Sequence, residues 1–108
     1  MFDDKADRRP ETIAAAFGVA SDPAFGAVAP PLYLSTTYEF AGFEQPRAYD
    51  YGRAGNPTRD LLAEAIARLE GGAGAIITSS GMAAIDLLVS RLPAGAQVQV
   101  SLELDRGG

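Results

Sequence analysis

The 108-residue chain contains no cysteine, no histidine and no tryptophan. Without cysteine or histidine it cannot form a Ser-His-Asp triad, a thiolate nucleophile or a disulfide. The same absences remove the thiolate and imidazole ligands of ordinary zinc sites. The sequence therefore predicts no metal site and excludes the commonest nucleophilic mechanisms.

Lysine is almost as scarce, because Lys5 is the single one beside eight arginines. An enzyme that forms a Schiff base needs a lysine in a desolvated pocket. Lys5 lies instead in the charged opening segment 3–9, and such termini are usually solvated. Composition alone predicts a chain that is poorly equipped for catalysis by itself.

The charge balance excludes some partners. The formal net charge is -5, and no basic cluster exceeds the pair Arg8-Arg9, so the chain lacks the basic surface that binds a phosphate backbone. No apolar run approaches the roughly 20 residues that span a bilayer, and no credible signal peptide is present. We expect a cytoplasmic protein that binds neither nucleic acid nor a membrane.

Residues 21–56 hold four of the seven prolines, and six aromatic residues fall between Tyr33 and Tyr51. Each proline removes a backbone donor and holds its predecessor extended, which excludes a long helix. Flexible linkers are poor in aromatic residues. The segment therefore predicts an extended arm that lies on another surface. A short helix over Glu11–Phe17, ending near Gly18, precedes it.

The second half has the periodicity of regular structure. Asn56-Pro57 predicts the start of a helix, and Gly71-Gly72 predicts its end. Between them, apolar residues recur at helical spacing and form one face. That face comprises Leu61, Leu62, Ala65, Ile66 and Leu69.

The pattern then predicts a buried strand over Ala73–Thr78, a helix over Met82–Leu92 and an alternating strand over Gln97–Leu104. Strand, helix and strand with short connections predict a parallel β-α-β unit of an α/β fold. The inward residues of the helix would be Ile85, Leu88, Val89 and Leu92. One such unit leaves an edge and a face uncovered. We therefore expect part of a larger α/β protein, or a chain that folds only against partners and otherwise aggregates or forms oligomers.

The turn from Thr78 to Met82 is the first candidate anion site. Its small residues let successive backbone N–H groups converge on a phosphate at the positive end of a helix. Alternatively, a serine simply caps the helix beside a glycine that makes a tight turn. The spacing is not that of a P-loop. The residues leave both interpretations open.

Tyr51 and Arg53 form the second candidate. They lie two apart in a predicted extended segment, so their side chains point to the same side. A phenol beside the planar donor fork of a guanidinium makes a good phosphate clamp. The alternative is a surface pair ahead of the Asn56-Pro57 helix cap.

Four motifs taken together indicate a protein family more specifically than either candidate anion site does. They are PPLYLSTTYEF at 30–40, YGRAGNPT at 51–58, LEGG at 69–72 and SGMAA at 80–84. In order and spacing the chain resembles the N-terminal portion of the Cys/Met-metabolism family of pyridoxal-phosphate (PLP) enzymes, the transsulfuration enzymes. Residues 42–51 are most similar to its bacterial cystathionine γ-synthase branch, also described as O-succinylhomoserine (thiol)-lyase.

The resemblance implies the first, incomplete portion of an aspartate-aminotransferase-like (PLP fold type I) large domain, of α/β class. Residues 1–56 would be an N-terminal helix and an extended intersubunit arm. Residues 57–108 would be the start of the PLP-binding domain. Family members are commonly tetramers built from two dimers, so the resemblance implies a homo-oligomer joined through the arm.

The resemblance also implies roles for individual residues. Tyr51 and Arg53 match the pair that reaches into the neighbouring subunit and binds the cofactor phosphate. Gly81 and Met82 match positions whose backbone amides bind the same phosphate from within the subunit. Asp50 lies where the synthases have an acidic residue near the amino-acid substrate.

Two positions depart from the family pattern. Arg106 stands where the family has the tyrosine that stacks on the cofactor ring, and Ala54 stands where synthases often have arginine. The family's pyridinium-binding aspartate, Schiff-base lysine and carboxylate-binding arginine belong to later segments. We therefore expect no catalytic residue in this chain, no covalent bond to PLP, and an end that reflects truncation or a frameshift.

The resemblance implies an N-terminal fragment of an enzyme that catalyses γ-replacement on an activated homoserine ester. The fragment would supply contacts to the cofactor phosphate and would be inactive alone. One alternative is a non-catalytic interaction module or pseudoenzyme remnant that pairs with a full-length homologue. Another is an α/β fragment that carries the motifs but does not fold. The motifs do not separate synthase from γ-lyase, β-lyase or sulfhydrylase.

Overall fold

Three helices make up the regular secondary structure in a computed structural model, which describes residues 8–99. They are α1 (Pro10–Ala16), α2 (Pro57–Glu70) and α3 (Gly81–Ser90). The contacts divide the chain into two units, the first ending at Ile77 and the second beginning at Thr78. Helices α1 and α2 therefore belong to the first unit, and α3 belongs to the second.

Helix α2 begins and ends where its capping residues predict. The Asn56 side chain accepts hydrogen bonds from the backbone N–H groups of Thr58 at 2.8 Å and Arg59 at 3.3 Å. These bonds satisfy two of the four donors that the first turn of a helix leaves unpaired. Gly71 takes the left-handed conformation, with φ of 66°, that ends the helix. The predicted helix is confirmed at both ends because its start and stop signals are local.

Helix α1 matches its predicted bounds to within one residue. It ends where Phe17 leaves the helical region with ψ of 127°, and Gly18 follows with φ of +79°, a region that residues with a Cβ avoid. The helix packs on α2, where the Arg68 guanidinium carbon lies 5.5 Å from the centre of the Phe17 ring. A Cβ at Gly18 would lie 2.8 Å from Leu61 Cδ2. The junction of the two helices therefore needs a glycine for its space as well as its conformation.

The segment between α1 and α2 contains several turns and folds back on itself. An isolated antiparallel bridge joins Thr37 to Tyr51, and the Tyr38 N–H donates to the Asp50 carbonyl at 3.1 Å. Five large apolar side chains of this segment are well exposed: Phe25, Val28, Leu32, Leu34 and Phe43. The arm thus offers apolar surface to a second body. That this body is another subunit stays a prediction.

Helix α3 starts one residue earlier and ends two residues earlier than the predicted Met82–Leu92. The Ser80 hydroxyl oxygen accepts a hydrogen bond from the Ala83 N–H at 3.1 Å. This cap fixes the first helical residue at Gly81. The apolar stripe of α3 does not pack inward as predicted, since Leu88 is 70% exposed.

The predicted strands are wrong for the part of the chain between residues 8 and 99. Residues 74–78 and 96–99 belong to no strand and pair with no neighbouring strand among the described residues. Positions 100–104 of the second predicted strand lie outside the described residues. Hydrogen bonds to a neighbour define a strand, and sequence periodicity does not supply that neighbour. The predicted β-α-β unit is therefore not formed by these residues.

The apolar face of α2 is also more exposed than predicted. Across residues 8–99 the only buried hydrophobic side chain is that of Ala67, whereas Leu62 is 51% exposed. An amphipathic helix buries its stripe only where another element covers it, and α1 covers one part of α2. No helix within residues 8–99 is long and apolar enough to cross a membrane.

Candidate phosphate-binding site

A tight turn joins the arm to α2. The Tyr51 carbonyl accepts hydrogen bonds from the N–H groups of both Ala54 and Gly55, each at 3.0 Å. The Gly52 N–H donates to the Thr36 carbonyl at 2.7 Å, which ties the turn to the arm. The extended conformation predicted for this segment is therefore wrong, since the backbone curls to meet the helix that starts next.

The side chains of Tyr51 and Arg53 nevertheless meet. Arg53 Nη2 donates to Tyr51 Oη at 3.0 Å, and the guanidinium carbon lies 5.3 Å from the ring centre, within cation–π range. Because the phenol oxygen accepts this bond, its own O–H can donate elsewhere, as can the other guanidinium N–H groups. Both side chains are exposed. The pair presents several donors and a positive charge, which suits a phosphate group.

Asn56 and Thr58 do more than start α2. Asn56 Nδ2 donates to the Tyr33 carbonyl at 3.0 Å, and the Thr58 hydroxyl accepts from the Tyr33 N–H at 2.9 Å. Both backbone groups of Tyr33 are thus paired with the helix start. The sequence predicts Asn56 only as a helix cap. Capping uses the side-chain oxygen and leaves the amide N–H donors unused, and these donors indicate a second partner.

Tyr49 was not predicted as part of the site. Its ring packs against that of Tyr38, with centroids 5.8 Å apart and planes tilted by 40°. Burial, reinforced by the nearby negative charge of Asp60, raises the pKa of Tyr49 above its ordinary value. A Cβ at Gly55 would lie 3.0 Å from Tyr49 Cδ1. Tyr49 therefore packs directly on the turn that carries Tyr51.

A cavity of about 360 Å³ lies beside the turn, with Arg53, Arg59 and Asp60 in its wall. Arg59 Nη2 lies 3.5 Å from the Arg53 carbonyl oxygen. Two guanidinium groups and one carboxylate leave an excess of positive charge here, which favours a small anion. Arg59 was not predicted from the sequence, because its position after the helix cap indicated an ordinary solvated residue.

Asp50 is carried by the residue before the turn and is exposed. Its backbone carbonyl is used by the Tyr38 N–H. Its carboxylate is not hydrogen-bonded or ion-paired to any of residues 8–99. It is therefore available to a cationic group of a ligand, as its predicted place near an amino-acid substrate requires.

Gly81 and Met82 lie in the second unit, at the first two positions of α3. The Ser80 hydroxyl occupies the Ala83 N–H, while the N–H groups of Gly81 and Met82 bond to no acceptor within residues 8–99. Met82 is 73% exposed, and no atom would crowd a Cβ at Gly81. The serine cap of the helix is confirmed, and that the two adjacent amides bind an anion stays a prediction.

Two residues singled out in the sequence, Lys5 and Arg106, lie outside the described residues. Between residues 8 and 99, no group of acidic side chains is arranged to hold a metal ion. The candidate residues of the first unit are thus hydrogen-bond donors, arginines and the carboxylates of Asp50 and Asp60.

Comparison with known proteins gives a consistent result. Residues 11–105 match the model of the family described as Cys/Met metabolism PLP-dependent enzyme. Cystathionine gamma-synthase of Escherichia coli (strain K12) is 53% identical over 83 residues, which cover 77% of this chain and 22% of the relative. The Bacillus subtilis (strain 168) protein named cystathionine gamma-synthase/O-acetylhomoserine (thiol)-lyase is 43% identical over 97 residues, or 90% of this chain and 26% of the relative.

A solved structure extends the likeness to the fold. The crystal structure of cystathionine gamma synthase from Xanthomonas oryzae pv. oryzae in complex with cystathionine superposes with a TM-score of 0.75 at 54% identity. The match covers 77% of this chain and 21% of that one. The chain thus spans between about a fifth and a quarter of the length of these relatives. The family resemblance seen in the motifs is confirmed.

Proposed function

This chain belongs to the Cys/Met metabolism family of PLP-dependent enzymes, and on that premise we propose that its residues supply the phosphate contacts of a cystathionine γ-synthase-like active site. The proposed contacts are Tyr51, Arg53 and the amides of Gly81 and Met82. The activity that the resemblance implies for the whole protein, γ-replacement on an activated homoserine ester, is part of the proposal.

The geometry of Tyr51 and Arg53 carries the proposal. The 3.0 Å hydrogen bond between their side chains turns the phenol O–H outward and leaves guanidinium donors open. Charge-assisted bonds from arginine to phosphate are among the strongest in proteins. The donor set fits the phosphate of pyridoxal 5'-phosphate, and the positive cavity beside it supports the same ligand class.

We assign the two phosphate-binding pairs to different subunits of a homo-oligomer. Tyr51 and Arg53 would act on the cofactor of a neighbouring subunit, and the α3 amides on that of their own. The exposed apolar side chains of the arm support this, because such surface favours a protein partner. A cytoplasmic location is part of the same proposal.

When bound, PLP supplies the electron sink for chemistry at the amino-acid substrate. The residues here orient that group by its phosphate, and Asp50 holds a negative charge near the site for a substrate ammonium group. The described residues include no lysine to hold the cofactor covalently and no histidine to move a proton. The role of this chain is therefore binding, and we expect no turnover from it alone.

Titration of the full chain with inorganic phosphate, followed by amide chemical shifts, tests the proposal. We expect Arg53→Ala to weaken phosphate binding about tenfold or more, because charge-assisted bonds contribute about 1.5–3 kcal/mol. Arg47→Ala is the matched control, since Arg47 is an exposed arginine of the same arm whose only described ion pair, among residues 8–99, is a long 3.9 Å contact with Glu39. Equal affinity in Arg53→Ala and Arg47→Ala would contradict the proposal.

The prediction of inactivity has its own assay. The chain, PLP, O-succinylhomoserine and cysteine are incubated together, and cystathionine is measured by mass spectrometry. We expect none. Cystathionine formed by the chain but not by Lys5→Ala would overturn this expectation and make Lys5 catalytic.

A second candidate function is a non-catalytic module that pairs with a full-length homologue. The exposed apolar side chains favour it, notably Leu34 and Phe43, which are 91% and 90% exposed. Co-purification of the tagged chain with full-length Escherichia coli cystathionine gamma-synthase would support it. If that complex forms and Leu34→Ser with Phe43→Ser abolishes it, pairing through the arm is established. Absence of the complex at micromolar concentrations would contradict it.

A further inference from the structure

Arg53 lies within a loop of backbone that two hydrogen bonds close. At one end, the Gly52 N–H donates to the Thr36 carbonyl at 2.7 Å. At the other end, the Thr58 hydroxyl oxygen accepts from the Tyr33 N–H at 2.9 Å. The same short stretch of the arm therefore holds the backbone on both sides of Arg53.

The arm stretch is itself fixed at both of its ends. Asn56 Nδ2 donates to the Tyr33 carbonyl at 3.0 Å, so both backbone groups of Tyr33 are bound to the start of α2. At the far end of the stretch, an antiparallel bridge joins Thr37 to Tyr51. The start of α2 is thus connected through the arm to both members of the phosphate-binding pair.

The Thr58 hydroxyl is not needed to start the helix. The Asn56 side chain already accepts from the N–H groups of Thr58 and Arg59, and Pro57 has no N–H to satisfy. The hydroxyl oxygen of Thr58 instead accepts a bond from a residue 25 positions away in the chain. Helix capping therefore does not account for it, whereas a role in placing the arm does.

Placement of the backbone matters for an exposed ligand such as Arg53. An arginine side chain has many rotamers and loses entropy when it binds an anion. A backbone that is already fixed lowers the entropy lost on binding and so raises affinity. Opening the loop at Thr58 should therefore weaken phosphate binding without removing any phosphate ligand.

We propose that Thr58 and Asn56 are positioning residues for phosphate binding, because together they hold Tyr33 and thereby the turn that carries Arg53. The inference rests on the proposed function of Tyr51 and Arg53. Neither Thr58 nor Asn56 is assigned a contact with phosphate.

The test measures the affinity of the full chain for inorganic phosphate by amide shifts, at a temperature where the chain is folded. Thr58→Val keeps the branched shape and a similar helix propensity but removes the accepting oxygen. We expect a loss of about threefold, since one exposed hydrogen bond contributes little. Thr58→Ser keeps the oxygen and should retain most of the affinity.

Asn56→Ser tests the second bond to Tyr33. Serine is also a favourable helix cap, but its side chain is too short to replace the amide that reaches the Tyr33 carbonyl. The variant adds no charge near the phosphate. We expect α2 to remain folded and phosphate affinity to fall by about threefold, as in Thr58→Val.

Coupling to Arg53 separates positioning from a general loss of structure. If Thr58 acts by placing Arg53, Thr58→Val should lower affinity less in an Arg53→Ala background than in the unchanged chain. The matched control is Thr12→Val, which makes the same chemical change in α1 at a hydroxyl that is bonded to none of residues 8–99. It should leave phosphate affinity unchanged.

Each outcome decides one statement. Phosphate affinity unchanged in Arg53→Ala refutes the proposed function itself. Affinity lost in Arg53→Ala but kept in Thr58→Val and Asn56→Ser refutes only the positioning inference. A loss in Thr58→Val that Thr58→Ser does not restore, that Thr12→Val reproduces, or that is equally large in the Arg53→Ala background also refutes the positioning inference.

Discussion

The arm–α2 junction and the start of α3 both present donors to an anion, but different bonds hold them. At the junction, Asn56 and Thr58 bind Tyr33 across sequence separations of 23 and 25 residues. At the start of α3, Ser80 bonds only within four residues, accepting from the Ala83 and Ala84 N–H groups and from the Thr78 hydroxyl. The first region is tied together by side chains from distant parts of the chain, whereas the second is held by its own helix cap.

This difference shows how a site can be ordered without an apolar core. Near the junction, polar bonds and stacked aromatic rings fix the backbone, although almost all apolar side chains stay partly exposed. In α3 the apolar residues outnumber the polar ones, yet Ile85 and Leu88 are 56% and 70% exposed. We infer that α3 depends on a covering layer for its stability, while the junction depends on hydrogen bonds.

The largest effect is expected from Asn56→Ala. This change removes the cap of α2 and the bond to Tyr33 together, and it should lower the stability of the first unit by about 2 kcal/mol. Ser80→Ala removes only a local cap and should destabilise α3 by about 1 kcal/mol. Hydrogen exchange of the amides in α2 and α3 measures both effects in the same chain.

Asn56→Asp divides the larger effect into its parts. Aspartate keeps the accepting oxygen of the cap but cannot donate to the Tyr33 carbonyl. We therefore expect α2 to keep most of its protection while the Tyr33 segment loses some. If Asn56→Ala and Ser80→Ala lower amide protection equally, the bonds to Tyr33 do not stabilise the junction. The two regions would then not differ in how they are held.

Glycine-to-alanine substitutions give a second comparison of the two regions. Gly18 and Gly95 both have positive φ, at +79° and +83°. Alanine at either position bears a conformational cost of about 1 kcal/mol. At Gly18 the new Cβ would also meet Leu61 at 2.8 Å and Pro30 at 3.1 Å, whereas at Gly95 nothing lies within 4 Å.

We therefore expect Gly18→Ala to cost about 1.5 kcal/mol and Gly95→Ala about 1 kcal/mol. Chemical denaturation followed by amide signals from each region gives the two values. A smaller effect at Gly18 than at Gly95 would show that the α1–α2 junction can move to admit a methyl group.

The sequence predicted local features of this structure well and distant ones poorly. The bounds of α2 follow from Asn56, Pro57 and Gly71, because a cap and a left-handed residue act within one turn. The chemistry of Tyr51 and Arg53 indicates the pair correctly, but the sequence predicts an extended backbone where the structure has a turn. The turn depends on Gly52 reaching the Thr36 carbonyl, a contact across the arm that no local pattern encodes.

The places of Tyr49 and Arg59 beside the turn could not be predicted for the same reason. Each lies near a motif residue in the sequence, but its contacts depend on other parts of the chain. The strand predicted over Ala73–Thr78 is wrong for a similar reason, because a strand needs a neighbouring strand to pair with. The motif at 80–84 predicts Gly81 and Met82 at the start of a helix, and they are the first two residues of α3.

The smallest expected effect is a pH dependence of the loop at Asp22. Its carboxylate accepts hydrogen bonds from the N–H groups of Ala24, Phe25 and Ala27, at 3.0 to 3.1 Å. These bonds hold the pKa of Asp22 below its ordinary value of 3.8. Because the folded pKa is the lower one, the stabilisation is present above pH 3.8 and is lost as the pH falls through the folded pKa. Water screens this exposed group, so the loss should be small and confined to the loop.

Asp22→Asn isolates this contribution from those of the other carboxylates. Asparagine keeps an accepting oxygen but does not titrate in this range, so the amide shifts of Phe25 and Ala27 should follow pH only in the unchanged chain. The junction supplies an internal reference, because Asn56 bonds through an amide that carries no charge and its neighbours should not respond. If the Phe25 and Ala27 amides titrate equally in Asp22→Asn, the loop is held by its backbone alone. In that case polar side chains order the first unit only where they join distant segments, as Asn56 joins α2 to Tyr33.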